Sequence, residues 1–285
     1  MDFVKSPMNY TGGKFKLLSQ ILPLFPKDIG TFVDLFTGGG NVAVNVDADR
    51  IIANDFSSEV INIYKMFQGF ENVDDLISDI NDVINKYDLS KTNSEGFLKL
   101  RNDYNATHNN DKFKSILLYV LICYSFNNQI RFNSKGEYNM PFGKDRSMFT
   151  DRMKGNLINF HKAITEKNII FTNYDFKEIK IDKLSYNDFI YCDPPYLITC
   201  ASYNERDGWN ENEEKSLLSI LDRLNDNHIK FALSNVLESK GKANDILIEW
   251  SEKYNVNHLD YTYSNCNYHT KDKVSKSDEV LITNY

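Results

Sequence analysis

The sequence predicts a doubly wound α/β domain interrupted by a helical and hairpin insertion, and three observations carry that prediction. Short apolar runs of strand length end on glycine or on a carboxylate at residues 31–36, 50–55 and 188–193. Helical periodicity takes over between about Ser58 and Cys123. Strand and helix then alternate again to the C-terminus.

Each element follows from its local pattern. Over residues 14–24 the apolar side chains Leu17, Leu18, Ile21 and Leu22 recur at helical spacing and stop near Pro26. Thr31-Phe32-Val33-Asp34-Leu35-Phe36 reads as a buried parallel strand that breaks into the tight turn Thr37-Gly38-Gly39-Gly40. A helix is expected from about Asn41, and Arg50-Ile51-Ile52-Ala53-Asn54-Asp55 reads as a second strand, closing a βαβ unit. Periodic segments at 60–70, 73–87 and 115–123 predict helices. Ile130 to Met140 reads as two short strands around a Ser-Lys-Gly turn, a β-hairpin. Strands are expected at 169–172, 188–192, 230–233 and 279–283, with helices over 211–224 and 243–254. The predicted division is one domain from 1–59 plus 151–285, with 60–150 inserted into it.

Composition bounds the function. Of 285 residues, 41% are hydrophobic and 26% charged, which suits an ordinary core with a solvated surface. No stretch approaches the roughly 18 apolar residues of a bilayer span. The opening Met1-Asp2-Phe3-Val4-Lys5-Ser6-Pro7 lacks a signal-peptide core, so a cytoplasmic chain is expected. Cys123, Cys192, Cys200 and Cys266 lie far apart, with no CxxC and no Cys/His cluster. They are expected as reduced, mostly buried thiols, and no metal is expected. A net charge of −7 argues at first against a nucleic-acid partner. Between Arg131 and Lys154, however, six basic residues stand against three acidic ones, so a local DNA-binding face and a merely solvated surface both remain open.

The chemistry concentrates at three strand ends. Glycines at 38–40 let the backbone approach a ligand closely, and without a following Lys-Ser/Thr they disfavour triphosphate binding. Asp55, 15 residues after Gly40, can accept hydrogen bonds from both hydroxyls of a ribose, or else cap the helix starting near Ser57. Asp193-Pro194-Pro195-Tyr196 follows the apolar Phe189-Ile190-Tyr191-Cys192. Two prolines remove two backbone donors and fix φ, so the turn can aim the Asp193 carboxylate and the Pro194 carbonyl at one amino group. Accepting both N–H hydrogens of an exocyclic amine draws its lone pair out of conjugation, towards an electrophilic methyl, while Tyr196 can stack on the base.

Phe36-Thr37-Gly38-Gly39-Gly40 followed, after a long insertion, by Asp193-Pro194-Pro195-Tyr196 resembles the paired motifs of amino-group DNA methyltransferases. Their order resembles the alpha, or D12, class that contains the Dam family. Asn9-Tyr10-Thr11-Gly12-Gly13-Lys14 is similar to the family's aromatic-x-Gly-Gly-Lys opening, and Ala53-Asn54-Asp55 to its ribose-binding strand end. Leu233-Ser234-Asn235-Val236-Leu237-Glu238 and Ser277-Asp278-Glu279-Val280 look especially like the Dam enzymes of T-even bacteriophages. The resemblance implies a Rossmann-like methyltransferase sheet that uses S-adenosylmethionine and releases S-adenosylhomocysteine. It implies cofactor contacts from Tyr10, Lys14, Phe36, Gly38, Asp55, Asp175, Phe176 and Asp193, with Tyr203 at the pocket edge. Packing in the core is the alternative for Tyr10 and Phe176.

The same resemblance makes Phe126-Asn127-Asn128-Gln129-Ile130-Arg131 and Pro141-Phe142-Gly143 the recognition hairpin. Arg131 would contact a guanine edge, Asn127, Asn128 and Gln129 would pair with bases or fill the gap of a flipped adenine, and Phe126 would wedge into the stack. Double-stranded DNA is the implied partner, GATC the implied target, and a bacterial or phage-infected cell the setting, with a restriction endonuclease as a candidate associate. Asn9 stands where bacterial Dam enzymes carry Lys, which puts the reading of the outer guanine in doubt. N4-cytosine methylation uses the same acceptors and stays open. A silent DNA-binding protein is disfavoured by the intact Asp193–Tyr196 string, and a glutamine or RNA methylase by Asp in place of Asn at 193.

Overall fold

The computed structural model describes residues 2–107, 111–199, 208–260 and 277–285. In chain order the strands are β1 (Thr31–Asp34), β2 (Arg50–Asn54), β3 (Ile169–Thr172), β4 (Phe189–Cys192), β5 (Lys230–Ser239), β6 (Lys242–Ala243), β7 (Asn255–Leu259) and β8 (Ser277–Thr283). The helices are α1 (Leu18–Ile21), α2 (Ser58–Gln68), α3 (Val73–Lys86), α4 (Ser94–Ala106), α5 (Lys112–Tyr124), α6 (Asp151–Glu166), α7 (Glu211–Asp226) and α8 (Asp245–Ser251). Among the described residues no helix is long and apolar enough to cross a membrane. The chain divides into two compact units, one of Met1–Phe15, Gly38–Asn45 and Ser57–Asn173, the other of Lys16–Thr37, Val46–Phe56 and Tyr174–Tyr285.

The second unit is built on a mixed sheet. Its strands run β2-β1-β4-β5 in parallel, and β8 and then β7 follow antiparallel, with the short β6 on β5. Succession leaves β1 towards β2 on one side and towards β4 on the other, so the strand order reverses between β1 and β4. In doubly wound sheets that reversal opens a crevice beyond the carboxyl ends. The register Asp34↔Tyr191 places the ends of β1 and β4 side by side there. The sheet's apolar face packs on α7 and α8 through Leu217, Leu221, Leu224, Leu247 and Trp250. The fully buried β4, Phe189–Cys192, explains its unbroken apolar sequence.

The first unit is helical. Its helices start on side-chain caps: Ser57, Asn72, Asn93, Asp111 and Thr150 each accept a backbone N–H of the first turn. Helix α5 is buried from Ser115 to Tyr124, which matches a sequence that is apolar on every face. Tyr64, Phe67, Tyr119, Phe160 and Phe171 pack ring on ring around it.

Three expected elements differ. The helix from Asn41 does not form; residues 41–45 make turns instead. The Asn45 side-chain amide takes the Asn41 carbonyl at 2.7 Å, the acceptor that Asn45's own N–H would claim in a helix, and that N–H turns to Val42 O at 3.0 Å. Asn41 and Asn45 also bind the backbone of Ser6 and Val4. The hairpin at 130–140 keeps one bridge, Phe132↔Tyr138, around a Gly136 turn. Its return arm bonds the outgoing one through Asn139 N–H to Arg131 O and is otherwise held by α4: Asn105 accepts from Tyr138 N–H at 2.8 Å and donates to Tyr138 O at 3.1 Å, and Arg101 donates to Met140 O. The last helix is short, capped by Asn244 and ended by Ser251, and the chain then forms the unanticipated strand β7. Asn-Val-Asn-His-Leu shows little strand signal because it pairs with β8 alone and buries only Leu259.

Candidate functional site

In the second unit three carboxylates gather at the carboxyl ends of β1, β2 and β4. Asp34 closes β1 and is 1% exposed. One of its oxygens accepts from the Thr37 hydroxyl at 3.2 Å, and the other, Oδ1, is buried with no hydrogen-bond partner among the described residues. Burial pushes its carboxyl well above the usual range; Asp193 and Asp55 add repulsion, and the Thr37 hydroxyl and Phe36 N–H offset part of it. Asp55 is buried beyond β2. The cap of α2 is Ser57, so the capping alternative for Asp55 falls.

Asn54 fixes how these ends meet. Its amide nitrogen donates to Leu35 O at 3.1 Å and Tyr174 O at 3.0 Å, and its oxygen accepts from Tyr174 N–H. One buried amide therefore ties β1, β2 and the segment before Asp175 together. Asp175 accepts from Lys177 N–H and forms a capping box with Glu178, which opens the short helix of Phe176–Glu178. Phe176 is buried against Phe36 and Trp209, three rings whose centroids lie 5.4–5.7 Å apart. Trp209 donates its indole N–H to Glu214 at 2.6 Å, and Glu214 also accepts from Asn235 and Asn244. Burial raises the Glu214 carboxyl despite these donors.

Asp193 is half-buried, Pro194 buried and Pro195 half-buried, and all three lie in irregular chain after β4. Tyr196 is 8% exposed, and its hydroxyl stands 3.1 Å from both Asp193 Oδ1 and Glu279 Oε1. Cys192 is a buried strand thiol, as is Cys123 in its helix; Cys200, Cys266 and the expected cofactor residue Tyr203 lie outside the described residues.

Within the first unit Tyr10 lies against the glycine turn. A Cβ on Gly38, whose φ is +46°, would meet the Tyr10 ring at 3.1 Å, so glycine is favoured there on both counts. Lys14 is buried and donates to Gly12 O at 2.9 Å. The segment expected to read DNA is also here. Phe126 is 41% exposed, with the Arg146 guanidinium 5.5 Å from its ring centroid. Its N–H bonds the carbonyl of the exposed Pro141. Asn127 and Asn128 have φ of 55° and 53°. Asn9 donates to Asn127 O at 2.8 Å, so its amide holds the turn's backbone. Asn128 donates to Cys123 O at 2.7 Å, closing the end of α5. Gln129 O accepts from Ser125 and Tyr138 hydroxyls. Arg131 is half-buried and donates to the Asn139 side chain and carbonyl at 2.8 and 3.0 Å. Lys135, Lys144, Arg146, Arg152 and Lys154 are exposed.

Sequence reasoning assigned no role to Asp34, Trp209, Glu214 or Glu279. Asp34 did carry a signal, since it is an acid inside an otherwise apolar strand run, whereas Glu279 follows Ser277 and Asp278 and reads as the polar start of one. Glu214 did not, because two of its three partners, Asn235 and Asn244, lie 21 and 30 residues along the chain.

An α/β sheet with carboxylates at its switch point and a Gly-rich turn defines a nucleotide-type ligand fold. The family is narrower. The model of the D12 class N6 adenine-specific DNA methyltransferase matches residues 10–276, and the chain belongs to that family. It is 49% identical over 288 residues to the type II methyltransferase M.FokI of Planomicrobium okeanokoites, covering 100% of this chain and 43% of that protein. It is 47% identical over 289 residues to the modification methylase StsI of Streptococcus sanguinis, covering 99% of this chain and 43% of that protein. The DNA adenine methylase of Salmonella typhi is 27% identical over 236 residues, 80% of this chain and 79% of the relative. The chain thus spans less than half the length of the first two relatives. The assignment stands at the D12 class, shared with these modification methylases, rather than at the T-even phage branch that the motifs suggested.

Proposed function

We propose that this chain transfers the methyl group of S-adenosylmethionine to N6 of adenine in double-stranded DNA, by direct transfer to a base turned out of the helix. The observation that carries the reading is Asp193 after the end of β4, beside the switch point and close enough to the buried Asp34 to repel its charge. The residues fit the cofactor. A buried carboxylate oxygen of Asp34 without a hydrogen-bond partner among the described residues suits a cationic ligand. Phe36, Phe176 and Trp209 suit its adenine, and Asp55 its ribose. By the motif match Lys14 is assigned to its carboxylate, and Tyr10, Gly38 and Asp175 are assigned to the cofactor as well. The cofactor supplies a methyl group made electrophilic by the sulfonium.

The chain supplies the rest. Asp193 and the Pro194 carbonyl accept the two amino hydrogens of the target, which orients the nitrogen lone pair and raises its nucleophilicity. Pro195 stiffens the turn, and Tyr196 backs the base. N6 carries its own lone pair, so no covalent cysteine intermediate is needed. Phe126, Asn127, Asn128, Gln129, Arg131 and Pro141 are assigned to the DNA, with GATC as the target. A cognate restriction endonuclease is the proposed associate, in keeping with the names of the modification-methylase relatives.

The test is to incubate the chain with methyl-labelled S-adenosylmethionine and unmethylated duplex DNA, then digest to nucleosides. Label is expected in N6-methyldeoxyadenosine, and modified-base sequencing is expected to place it in GATC. Label confined to N4-methylcytosine would overturn the base assignment, and adenine label outside GATC would overturn the target.

A further inference from the structure

The Tyr196 hydroxyl stands equally close, at 3.1 Å, to Asp193 Oδ1 and Glu279 Oε1. A phenol has one proton and donates to one of these carboxylates at a time, so the three oxygens form a chain along which a proton can pass. Glu279 lies in β8 across from Val236 of β5 and is 1% exposed. The next three residues of its strand, Val280, Leu281 and Ile282, are wholly buried. An acid in such a place carries a desolvation cost that an amide or an apolar residue would avoid.

Methylation of an amine leaves one proton to be removed. We propose that Glu279 is the terminal acceptor of that proton, reached from the target amine through Asp193 and the Tyr196 hydroxyl. This rests on the methyl-transfer reading above. As the amine lone pair forms the new N–C bond, the C–S bond breaks and its electron pair stays on sulfur. The N–H proton passes to Asp193. Tyr196 then takes that proton on its oxygen and gives its own to Glu279. An amine, a sulfonium and a carboxylate become an N-methylamine, a thioether and a carboxylic acid. Asp193 is returned to the ionised state in which it grips the amino group, and Glu279 discharges after the product leaves.

Stopped-flow with a pH indicator, run beside chemical quench on the full chain with cofactor and duplex DNA, tests the relay. In the wild type the proton should reach solvent after methyl transfer. In Glu279→Gln the two events should coincide, and the single-turnover rate should fall at least ~10-fold, within the range of lost acid–base assistance. Glutamine keeps an acceptor oxygen for Tyr196, so loss of the hydrogen bond alone does not account for such a change. Tyr196→Phe cuts the chain at its centre; its rate should also fall, and adding Glu279→Gln to it should change nothing more. Cofactor affinity by calorimetry should stay unchanged in Glu279→Gln. Simultaneous proton release and methyl transfer in the wild type would overturn the relay, and so would additive losses in the double variant. Adenine methylation with an unaltered Glu279→Gln rate and timing sinks the relay alone. A wild-type chain that methylates no adenine sinks the functional reading and the relay together.

Discussion

Around Asp193 the functional side chains leave strand ends whose register is set by parallel pairing, and their neighbours are buried. Around Phe126–Asn128 they leave an irregular turn fastened by side-chain amides: Asn9 on Asn127 O, Asn128 on Cys123 O, Asn139 on Arg131. The first region stores electrostatic cost, in Asp34 and Glu214, where burial raises carboxyl groups. The second relies instead on residue choice, placing two asparagines at positive φ, where most side chains would be strained. On the proposed assignment this is a division of labour: chemistry on rigid sheet ends, and recognition on a turn whose shape depends on a few removable hydrogen bonds.

Substitutions can break or sharpen this contrast. The largest effect is expected at Asp193→Ala, which should lower methyl transfer by about 10³-fold or more while the protein still melts cooperatively, read by label incorporation and calorimetry. Next, Arg131→Ala and Asn139→Ala should each relax sequence preference by roughly 10-fold, from the ~1–3 kcal/mol of a bidentate base contact, with cofactor affinity unchanged. Methylation rates on a panel of single-mismatch duplexes read this, and an unaltered preference would remove Arg131 from the recognition set. Asn128→Ala should cost about 1 kcal/mol of stability, because the Cys123 carbonyl at the end of α5 loses its donor, read by denaturant unfolding.

The smallest effect has a sign fixed by linkage. The Asp34 carboxyl is raised in the folded chain above its unfolded value, so its stabilising contribution is full below the ordinary carboxylate range and is lost as pH rises through the raised value. Asp34→Asn should therefore raise the melting temperature by about 3 °C near neutrality, a gain that vanishes on acidification. It should also weaken cofactor binding. A variant that melts no higher than the wild type at neutral pH would show that Asp34's burial carries no such cost.

The sheet ends were legible because a run of apolar residues followed by Gly, Asp or Pro can hardly be anything but a buried strand and its exit; β1, β2 and β4 lie where that pattern placed them. The helix from Asn41 was not legible, since its failure turns on Asn45 binding a carbonyl within its own turn while holding Val4, 41 residues away. The reduced hairpin depended on Asn105, whose spacing from Tyr138 no local window contains. Of the candidate site, the motif residues could be named from their order, but the link from Tyr196 to Glu279 spans 83 positions and needed the sheet to bring it about.

The left-handed backbone at Asn127 and Asn128 sets a limit on retargeting. Only asparagine, aspartate and glycine visit that region at little cost, so a library randomised at these two positions would return a narrow alphabet. New base preferences would have to be sought at Gln129, Arg131 and their supports, where no left-handed backbone narrows the choice of side chain.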